Sequence, residues 1–396
     1  MNYTEVKNLL IFPGEIFPLN MGARRRVYNL ITHLNNTEYK TDLMIITSKE
    51  IGELEKKKYD SVAPRTFFIT SKSKRLSLYE NIKKFINKRK TWNQESFLER
   101  IHRKKNINTI EQVTRLSIIN NYTNIIVSYA WMMWIVDDLI KLKKINIICD
   151  TYDVQYTRNT SIFSQTMNTF DSSKDKEIEL TYLKKANYIL AISKNDFVEL
   201  NQYVTEKKLV LCTIDFDYIF NSFKQEINSV KENFSFGFIG SNMIANQISI
   251  DIILTNWWPA ILKESPNSKL YIAGSICSIV EKTKYTNIIL MHNVESVESF
   301  YNNIDCLLFP NNIRGGINIK LYESLFAYKI IVSNDINVDK SIRKLLIQWN
   351  EEDVKTVVEK ILHYQKSEYY NKVKELYIHN FKSTVVYRDL KQCLYS

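Results

Sequence analysis

Short apolar runs alternate with helix-like segments along most of this chain of 396 residues. In its first half, apolar runs rich in Ile, Leu and Val predict five strands, at 7–12, 43–47, 124–128, 146–149 and 187–193. Between them lie segments of helical periodicity, such as ARRRVYNLITHL after the first strand. Continuously apolar strands that alternate with helices are typical of a parallel sheet covered on both faces.

The same alternation begins again in the second half of the chain. Five further strands are predicted at 234–239, 269–273, 287–291, 305–310 and 329–333. A helix is predicted at 248–263, and others at VESVESFYNNI and IKLYESLFAY. The stretch 215–232 between the halves is polar and has no periodicity, which indicates a boundary. The pattern therefore predicts an α/β protein with two Rossmann-like domains of doubly wound parallel sheet, at 1–215 and 216–375.

Composition narrows the class of protein without identifying it. The formal net charge is +11, which predicts attraction to anionic partners such as phosphorylated substrates, anionic lipid or nucleic acid. No recognisable nucleic-acid-binding motif accompanies this charge, so we expect no nucleic-acid partner. The five cysteines are widely spaced and most lie in apolar runs, which predicts buried thiols rather than disulfides or metal ligands. We see neither a signal peptide nor an apolar run of about 18 residues, so we expect a cytoplasmic protein.

One basic segment departs from the alternation. Residues 72–105 contain twelve Lys or Arg against three Glu, with apolar residues spread through the first part. Two interpretations remain open: a solvated helix pair with a basic face, or an amphipathic segment that contacts anionic lipid. The second would place the protein peripherally on the inner face of the plasma membrane.

Glycine is scarce, and its positions carry most of the information about chemistry. Average usage predicts about 28 glycines in a chain of this length, whereas this one has 8. Gly237, Gly240 and Gly274 lie at or just past predicted strand ends, where turns use glycine with or without a ligand. The adjacent pair Gly315–Gly316 also follows a strand and precedes a helix. The free amides of such a helix N-terminus favour a phosphate.

Two charged residues follow this glycine pair at helical spacing. Lys320 lies in the first predicted turn, where its charge would favour a phosphate, and Glu323 lies one turn later on the same face. A carboxylate repels a phosphate, so a carboxylate beside a phosphate site is expected to bind a different group. The ribose diol of a nucleotide is such a group, because its hydroxyls can donate hydrogen bonds to the carboxylate. The alternative is an ordinary surface ion pair of little energetic value.

At these residues the chain resembles family 4 glycosyltransferases of the GT-B fold. The stretch beginning FSFGFIGSN resembles the start of their C-terminal domain, and NIRGGINIKLYES resembles their donor-nucleotide segment. PLNMGARRRVYNLITHL, CDTYDVQYTRN and KKANYILAISKNDF are similar to parts of the N-terminal domain. The resemblance implies two Rossmann-like domains facing across a cleft, an acceptor domain at 1–215 and a nucleotide-sugar domain at 216–375. It also implies a last helix, 376–396, that crosses back to the first domain.

The resemblance also implies residue roles. Glu323 would bind the ribose, and Gly315, Gly316, Ile317, Asn318 and Lys320 would hold the diphosphate. Gly22 would lie close to the donor phosphates, and Asp153, or else Asp150, would face the sugar or acceptor. Gly240, which ends the first strand of the second domain, would also belong to the substrate-binding residues. The residues that would neutralise the diphosphate are Lys320 or Arg314, joined by Arg24 or Arg25.

Two departures from the family pattern bear on activity. Gly315 occupies the position where many members carry an acid at the sugar hydroxyls, and the stretch GSNMIANQ lacks the basic pair that often follows the first strand of this domain. The resemblance implies a retaining hexosyltransferase that moves a sugar from a nucleotide-sugar to a glycan or lipid-linked acceptor in polysaccharide or glycoconjugate biosynthesis. It implies no metal and no other cofactor. The departures keep open the alternative of a non-catalytic scaffold subunit of a glycosyltransferase complex.

Overall fold

The structure is a computed structural model of the chain. It describes the chain apart from residues 1–6, 72–95, 143–144, 167–170, 224–233, 281–286, 293, 295, 312, 335–337, 365 and 395–396. The predicted basic segment therefore lies mostly outside the described residues. Two compact units emerge: the first comprises 1–215, 315–317 and 386–396, and the second comprises 216–314 and 318–385.

A seven-stranded parallel sheet forms the centre of the first unit. Its strands are β1 (Asn8–Phe12), β2 (Thr41–Thr47), β3 (Thr66–Thr70), β4 (Asn124–Ser128), β5 (Asn146–Asp150), β6 (Tyr188–Ala191) and β7 (Leu209–Leu211). They are ordered β3-β2-β1-β4-β5-β6-β7. The chain order reverses between β1 and β4, which makes this pair the switch point of the sheet.

The helices of the first unit connect these strands. They are α1 (Gly22–Asn35), α2 (Glu53–Lys56), α3 (Phe97–Lys104), α4 (Ile107–Ile119), α5 (Gln155–Thr166), α6 (Ser172–Leu183) and α7 (Lys194–Leu200). Short 3₁₀ turns lie at Lys57–Tyr59, Ala130–Val136, Leu139–Leu142 and Glu206–Lys208.

The second unit contains a six-stranded parallel sheet. Its strands are β8 (Ser235–Ile239), β9 (Lys269–Ala273), β10 (Ile288–Met291), β11 (Cys306–Phe309), β12 (Ile330–Ser333) and β13 (Ile347–Gln348). Their order is β10-β9-β8-β11-β12-β13, so the switch point lies between β8 and β11.

The remaining helices complete the chain. They are α8 (Asp217–Phe220), α9 (Ile244–Ile252), α10 (Trp258–Glu264), α11 (Val297–Asn302), α12 (Ile319–Phe326), α13 (Lys340–Arg343), α14 (Val354–Leu362), α15 (Lys366–Asn380), α16 (Ser383–Val386) and α17 (Leu390–Leu394). A π turn at Ile253–Trp257 joins α9 to α10, and a 3₁₀ turn lies at Ser275–Ile279. Helix α17 packs in the core of the first unit, where Asn124 Nδ2 donates to the carbonyl of Leu394 at 3.1 Å.

Burial on both faces explains why the strands are continuously apolar. Along β1, Leu9 and Ile11 belong to one core cluster, while Leu10 and Phe12 belong to the cluster on the other face. This follows from the two-residue period of a strand. The predicted fold class, two Rossmann-like units of doubly wound parallel sheet, is confirmed.

The strands that the pattern did not predict all lie at sheet edges. β3 and β7 form the two edges of the first sheet, and β13 forms one edge of the second. β3 is only partly buried, β7 has three residues, and β13 has two. Short edge strands of this kind carry little periodic signal.

Two composition-based expectations can be compared with the described residues. All five cysteines are buried and free, as predicted. Among the helices that the structure describes, none combines the length and the apolar character needed to cross a bilayer.

Candidate functional site

The head of helix α12 lies just past β11, one of the two switch-point strands of the second sheet. Asn318 is the N-cap residue, and its carbonyl accepts from the amide of Leu321 at 2.9 Å. The side chain of Asn318 does not cap this end, and the amides of Ile319 and Lys320 precede the first hydrogen bond of the helix. In open parallel sheets, ligands bind beyond the carboxyl ends of the switch-point strands, and a helix N-terminus there favours an anion.

Lys320 sits in the first turn of α12, directly at the switch point. Its Nζ lies 4.7 Å from the ring centroid of Phe238, on β8, and 5.9 Å from that of Phe309, on β11. The same atom donates to Oδ1 of Asn246 at 2.5 Å. Burial lowers the pKa of Lys320 to about 8, and nearby Glu323 opposes that shift. An anion bound next to this amine would therefore stabilise its charged form.

We expect nucleotide binding at pH 8.5 to be accompanied by the uptake of up to one proton. Above pH 8 a large share of Lys320 is neutral in the folded chain, and a bound diphosphate raises its pKa again. Calorimetric titrations in buffers of different ionisation enthalpy measure this uptake. Lys320→Met should abolish it, and uptake that persists in this variant would show that another group is responsible.

The same shift has a consequence for stability. Between pH 8 and the ordinary lysine value of 10.5, the unfolded chain binds the Lys320 proton more than the folded chain does. The contribution of Lys320 to the free energy of unfolding therefore rises with pH across this window.

Glu323 lies one turn after Lys320 and is almost completely buried. The hydroxyl of Tyr218 donates to its Oε1 at 2.5 Å, and the hydroxyl of Tyr301 lies 3.3 Å from its Oε2. These contacts fix the orientation of the carboxylate. A carboxylate offers about four acceptor positions, so it can accept from a ribose diol as well as from tyrosines. The alternative of a surface ion pair between Lys320 and Glu323 is wrong, because neither side chain is on the open surface.

Two of the strand-end glycines have structural roles in this unit. Gly274 has φ +91°, and a Cβ there would lie 2.5 Å from the carbonyl oxygen of Gly240. A Cβ on Gly240 would lie 2.9 Å from the side chain of Asn246, the partner of Lys320. Both glycines thus permit close packing of the loops after β8 and β9 behind the Lys320 amine.

Gly274→Ala should lower the free energy of unfolding by about 1–3 kcal/mol. The substitution combines a positive φ with a contact to backbone that cannot move aside. Urea denaturation followed by circular dichroism measures the change. Gly52→Ala is a matched control, because a Cβ at Gly52 meets nothing within 4 Å. An equal loss in both variants would contradict this explanation.

The glycine pair itself is grouped with the first unit, together with Ile317. Gly315 and Gly316 have φ +102° and +69°, and a Cβ on Gly316 would lie 3.1 Å from the carbonyl oxygen of Tyr152. The amide of Gly316 makes a long hydrogen bond, 3.5 Å, to Oδ1 of Asp196. The positive φ angles and these close contacts explain why glycine is present at both positions. The Gly316 amide, which was predicted to face a phosphate, donates instead to the Asp196 carboxylate. The predicted diphosphate role of the pair stays a prediction.

Asp153 lies in the same region of the first unit and is 8% exposed. Its Oδ2 pairs with Nη1 of Arg158 at 3.0 Å, whereas its Oδ1 is buried with no hydrogen-bond partner among the described residues. Two further buried acids in this region, Asp196 and Glu179, have shifted pKa values. Burial raises the pKa of Asp196 to about 6 and that of Glu179 to about 8. Asp153 therefore lies near two carboxyl groups whose pKa values are raised by burial.

Asp150, the alternative to Asp153, is not available to a substrate. It is fully buried and paired with Arg26 of α1, whose Nε lies 2.9 Å from both carboxylate oxygens. Arg26 also donates to the carbonyls of Cys212 and Thr213. Burial alone would lower the pKa of Arg26, but the charge of Asp150 holds it above its ordinary value. The suggestion that Asp150 faces the sugar is wrong, because this carboxylate is the counter-ion of a buried arginine.

The remaining predicted residues occupy separate positions. Gly22 is the first residue of α1. Arg24 is half-buried, and its Nη1 donates to the carbonyl of Pro18 at 3.1 Å and lies 3.5 Å from Oδ1 of Asn20. Arg314 is exposed in the loop after β11. Their predicted roles toward a diphosphate stay predictions.

Sequence reasoning did not find the residues that orient the key side chains. Tyr218 lies in the stretch interpreted as a polar boundary, and Asn246 lies in a stretch noted only for its lack of charge. Tyr301 is in a predicted helix with no distinguishing signal. Trp131 is 7% exposed and belongs to the core of the first unit. Among the described residues, no group of three or more His, Cys, Asp or Glu side chains could hold a metal ion.

One family model matches part of the chain. It is described as "Glycosyl transferases group 1" and matches residues 233–366. The matched region contains Asn246, Lys320 and Glu323, together with both switch-point strands of the second sheet. A search of curated proteins finds no match.

Solved structures match the chain over nearly its whole length at low identity. HepE from Anabaena in complex with UDP and glucose is 10% identical with a TM-score of 0.64, covering 98% of this chain and 99% of its own. An S. aureus TarM mutant in complex with Fondaparinux, alpha-GlcNAc-glycerol and UDP is 11% identical with a TM-score of 0.65, covering 99% and 100%.

A third structure shows that the likeness concerns the fold alone. The N-terminal domain of Candida albicans trehalose-6-phosphate phosphatase is 12% identical with a TM-score of 0.65, covering 100% of this chain and 97% of its own. Similar scores for proteins of different names mean that function must be argued from the site.

Proposed function

We propose that this protein is a glycosyltransferase that transfers a sugar from a nucleotide-sugar donor. The observation that carries the proposal is the pair Lys320 and Glu323, one turn apart at the head of α12 and beside the switch point of the second sheet. One supplies a cation for a diphosphate, and the other supplies an oriented acceptor for a ribose diol. The glycosyl transferase match over residues 233–366 supports the same interpretation.

The chemistry of sugar transfer explains why a cation is needed there. Breaking the anomeric C–O bond leaves a nucleoside diphosphate with additional negative charge on its β-phosphate. Groups that stabilise this charge in the transition state accelerate the reaction. Lys320 and the first amides of α12 have this role in the proposal, with Arg314 as a further cation. Burial lowers the pKa of Lys320 to about 8, and a bound anion would raise this pKa again and favour the charged amine.

We further propose that the transfer is retaining, needs no metal, and moves a hexose to a glycan or lipid-linked acceptor. These finer statements rest on the family resemblance. Asp153 is the candidate to face the transferred sugar, since its Oδ1 is a buried acceptor with no partner among the described residues. Arg158 holds the other oxygen of this carboxylate and fixes its orientation.

The competing function is that of a non-catalytic scaffold. Gly315 stands where many relatives carry an acid, and the amide of Gly316 contacts Asp196. Asn246 belongs to the uncharged stretch GSNMIANQ, where many relatives carry a basic pair. In this chain Asn246 is uncharged and accepts a hydrogen bond from Lys320, so Lys320 supplies the positive charge beside it.

A panel of nucleotide-sugars separates the two functions. UDP-glucose, UDP-N-acetylglucosamine, GDP-mannose and ADP-glucose are each incubated with the protein, and thermal shift and slow donor hydrolysis are measured. A transferase is stabilised by at least one of these donors and hydrolyses it slowly, with both effects lost in Lys320→Met. No stabilisation and no hydrolysis with any donor would favour the scaffold.

A further inference from the structure

A separate cavity of about 290 Å³ lies in the first unit. Its wall includes Pro13, Gly14 and Glu15, which follow β1, and Trp131 and Trp134, which follow β4. These segments continue the two switch-point strands of the first sheet, so the cavity occupies the position where open parallel sheets bind ligands. Its volume is at the low end of the range for small-molecule sites, which suits a unit the size of one sugar residue.

The charge of the cavity wall is strongly biased. Among the residues that the structure describes, three cationic side chains line it, Arg24, Lys49 and Lys104, against one carboxylate, Glu15. They come from three different elements: α1, the loop after β2, and the end of α3. The Arg24 guanidinium is held by neutral oxygens, those of Pro18 and Asn20, which leave its charge uncompensated at those contacts.

Polar groups of a kind that bind sugars accompany these cations. Thr47, Ser48 and Ser71, which lie at or past the carboxyl ends of β2 and β3, bring hydroxyl groups to the wall. Cations and hydroxyls together favour an anionic, oxygen-rich ligand.

We propose that this cavity binds an anionic sugar, one that carries a phosphate or a carboxylate, as the acceptor end of the reaction. Its role as acceptor site rests on the proposed function, whereas the binding of anionic sugars by the cavity does not. This ligand is distinct from the nucleotide proposed for the second unit. Lys49 and Lys104 would bind the anionic sugar, whereas Lys320 and Glu323 would bind the nucleotide.

Isothermal titration with three probes tests this assignment: glucose 6-phosphate, glucuronate and glucose. We expect at least one anionic sugar to bind about 10-fold or more tightly than glucose. Which of the two binds tighter identifies phosphate or carboxylate as the preferred group. Lys49→Gln combined with Lys104→Gln should weaken the anionic sugar about 10-fold and leave glucose unchanged. Equal affinity of all three sugars, or an unchanged affinity in the double variant, would overturn the proposal.

Two controls make the result specific to the cavity. Lys58→Gln removes a charge from an exposed lysine of the same unit that does not line the cavity, and should leave all three affinities unchanged. Lys320→Met should leave the binding of anionic sugars unchanged while it weakens nucleotide binding. A native chain that binds no nucleotide would count against the proposed function, whereas a native chain that shows no preference for anionic sugars would count against this inference alone.

Discussion

Replacing Glu323 with glutamine should weaken the binding of the preferred nucleoside diphosphate by about 10- to 100-fold. Hydrogen bonds to a charged group contribute about 1.5–3 kcal/mol, and a ribose diol would lose such bonds when the carboxylate becomes an amide. The glutamine keeps the shape of the side chain, which is buried against Tyr218 and Tyr301. Isothermal titration with the nucleoside diphosphate of the best donor measures the change.

Two controls separate ribose binding from a general effect on the fold. Tyr218→Phe removes one of the hydroxyls that orient the carboxylate but keeps its charge, and should weaken binding by less than about 10-fold. Pyrophosphate has no ribose, so its affinity should be equal in the native chain and in Glu323→Gln. Equal losses for pyrophosphate and for the nucleotide would mean that the substitution disturbs the phosphate site or the fold.

Replacing Arg26 with leucine should lower the free energy of unfolding of the chain by about 3–5 kcal/mol. Such a loss is expected when one member of a buried ion pair is removed, because the other charge stays buried without a partner. Here Asp150 would be left fully buried at the end of β5, and the carbonyls of Cys212 and Thr213 would lose a donor. Urea denaturation followed by circular dichroism measures the effect.

The double variant Arg26→Leu with Asp150→Leu should recover most of this loss, since it removes both charges. Arg25→Leu is the neighbouring control: Arg25 is only half-buried, and its replacement should change the free energy of unfolding by about 1 kcal/mol or less. If Arg26→Leu costs no more than Arg25→Leu, the pair does not have the structural role assigned to it.

The central strands of both sheets could be predicted from the sequence because burial on both faces makes them continuously apolar. The predicted runs at 124–128 and 269–273 coincide with β4 and β9 residue for residue. Edge strands are different, since partial exposure and short length weaken the signal, as in β3 and β13. The π turn before Trp258 also has no periodic signature, because it adds its extra residue inside a helix that the pattern treats as continuous.

At the candidate site, spacing along one helix was predictable and long-range partners were not. Lys320 and Glu323 could be placed on one face of a helix because three residues make about one turn. The partner of Lys320, Asn246, is 74 positions away, and Tyr218 is 105 positions from Glu323. Contacts at such separations follow from the topology of the sheet, which a periodic pattern does not encode.

The run of arginines at 24–26 shows a second limit of sequence reasoning. Arg24 and Arg25 were the arginines expected to face a diphosphate, and Asp150 was an alternative acid for the sugar. Arg26 instead points into the unit and pairs with Asp150. Only the rotation of α1 against the sheet decides which of three consecutive arginines is buried, and that rotation is set by packing of the apolar face of the helix.

The central claim is that the Glu323 carboxylate binds the ribose of a nucleotide-sugar. It is tested most directly by comparing the preferred nucleoside diphosphate with its 2′,3′-dideoxy analogue, in the native chain and in Glu323→Gln. We predict that the native chain binds the ribose form about 10-fold or more tightly and that Glu323→Gln distinguishes the two forms by no more than about 3-fold. The same discrimination in both proteins would contradict the claim.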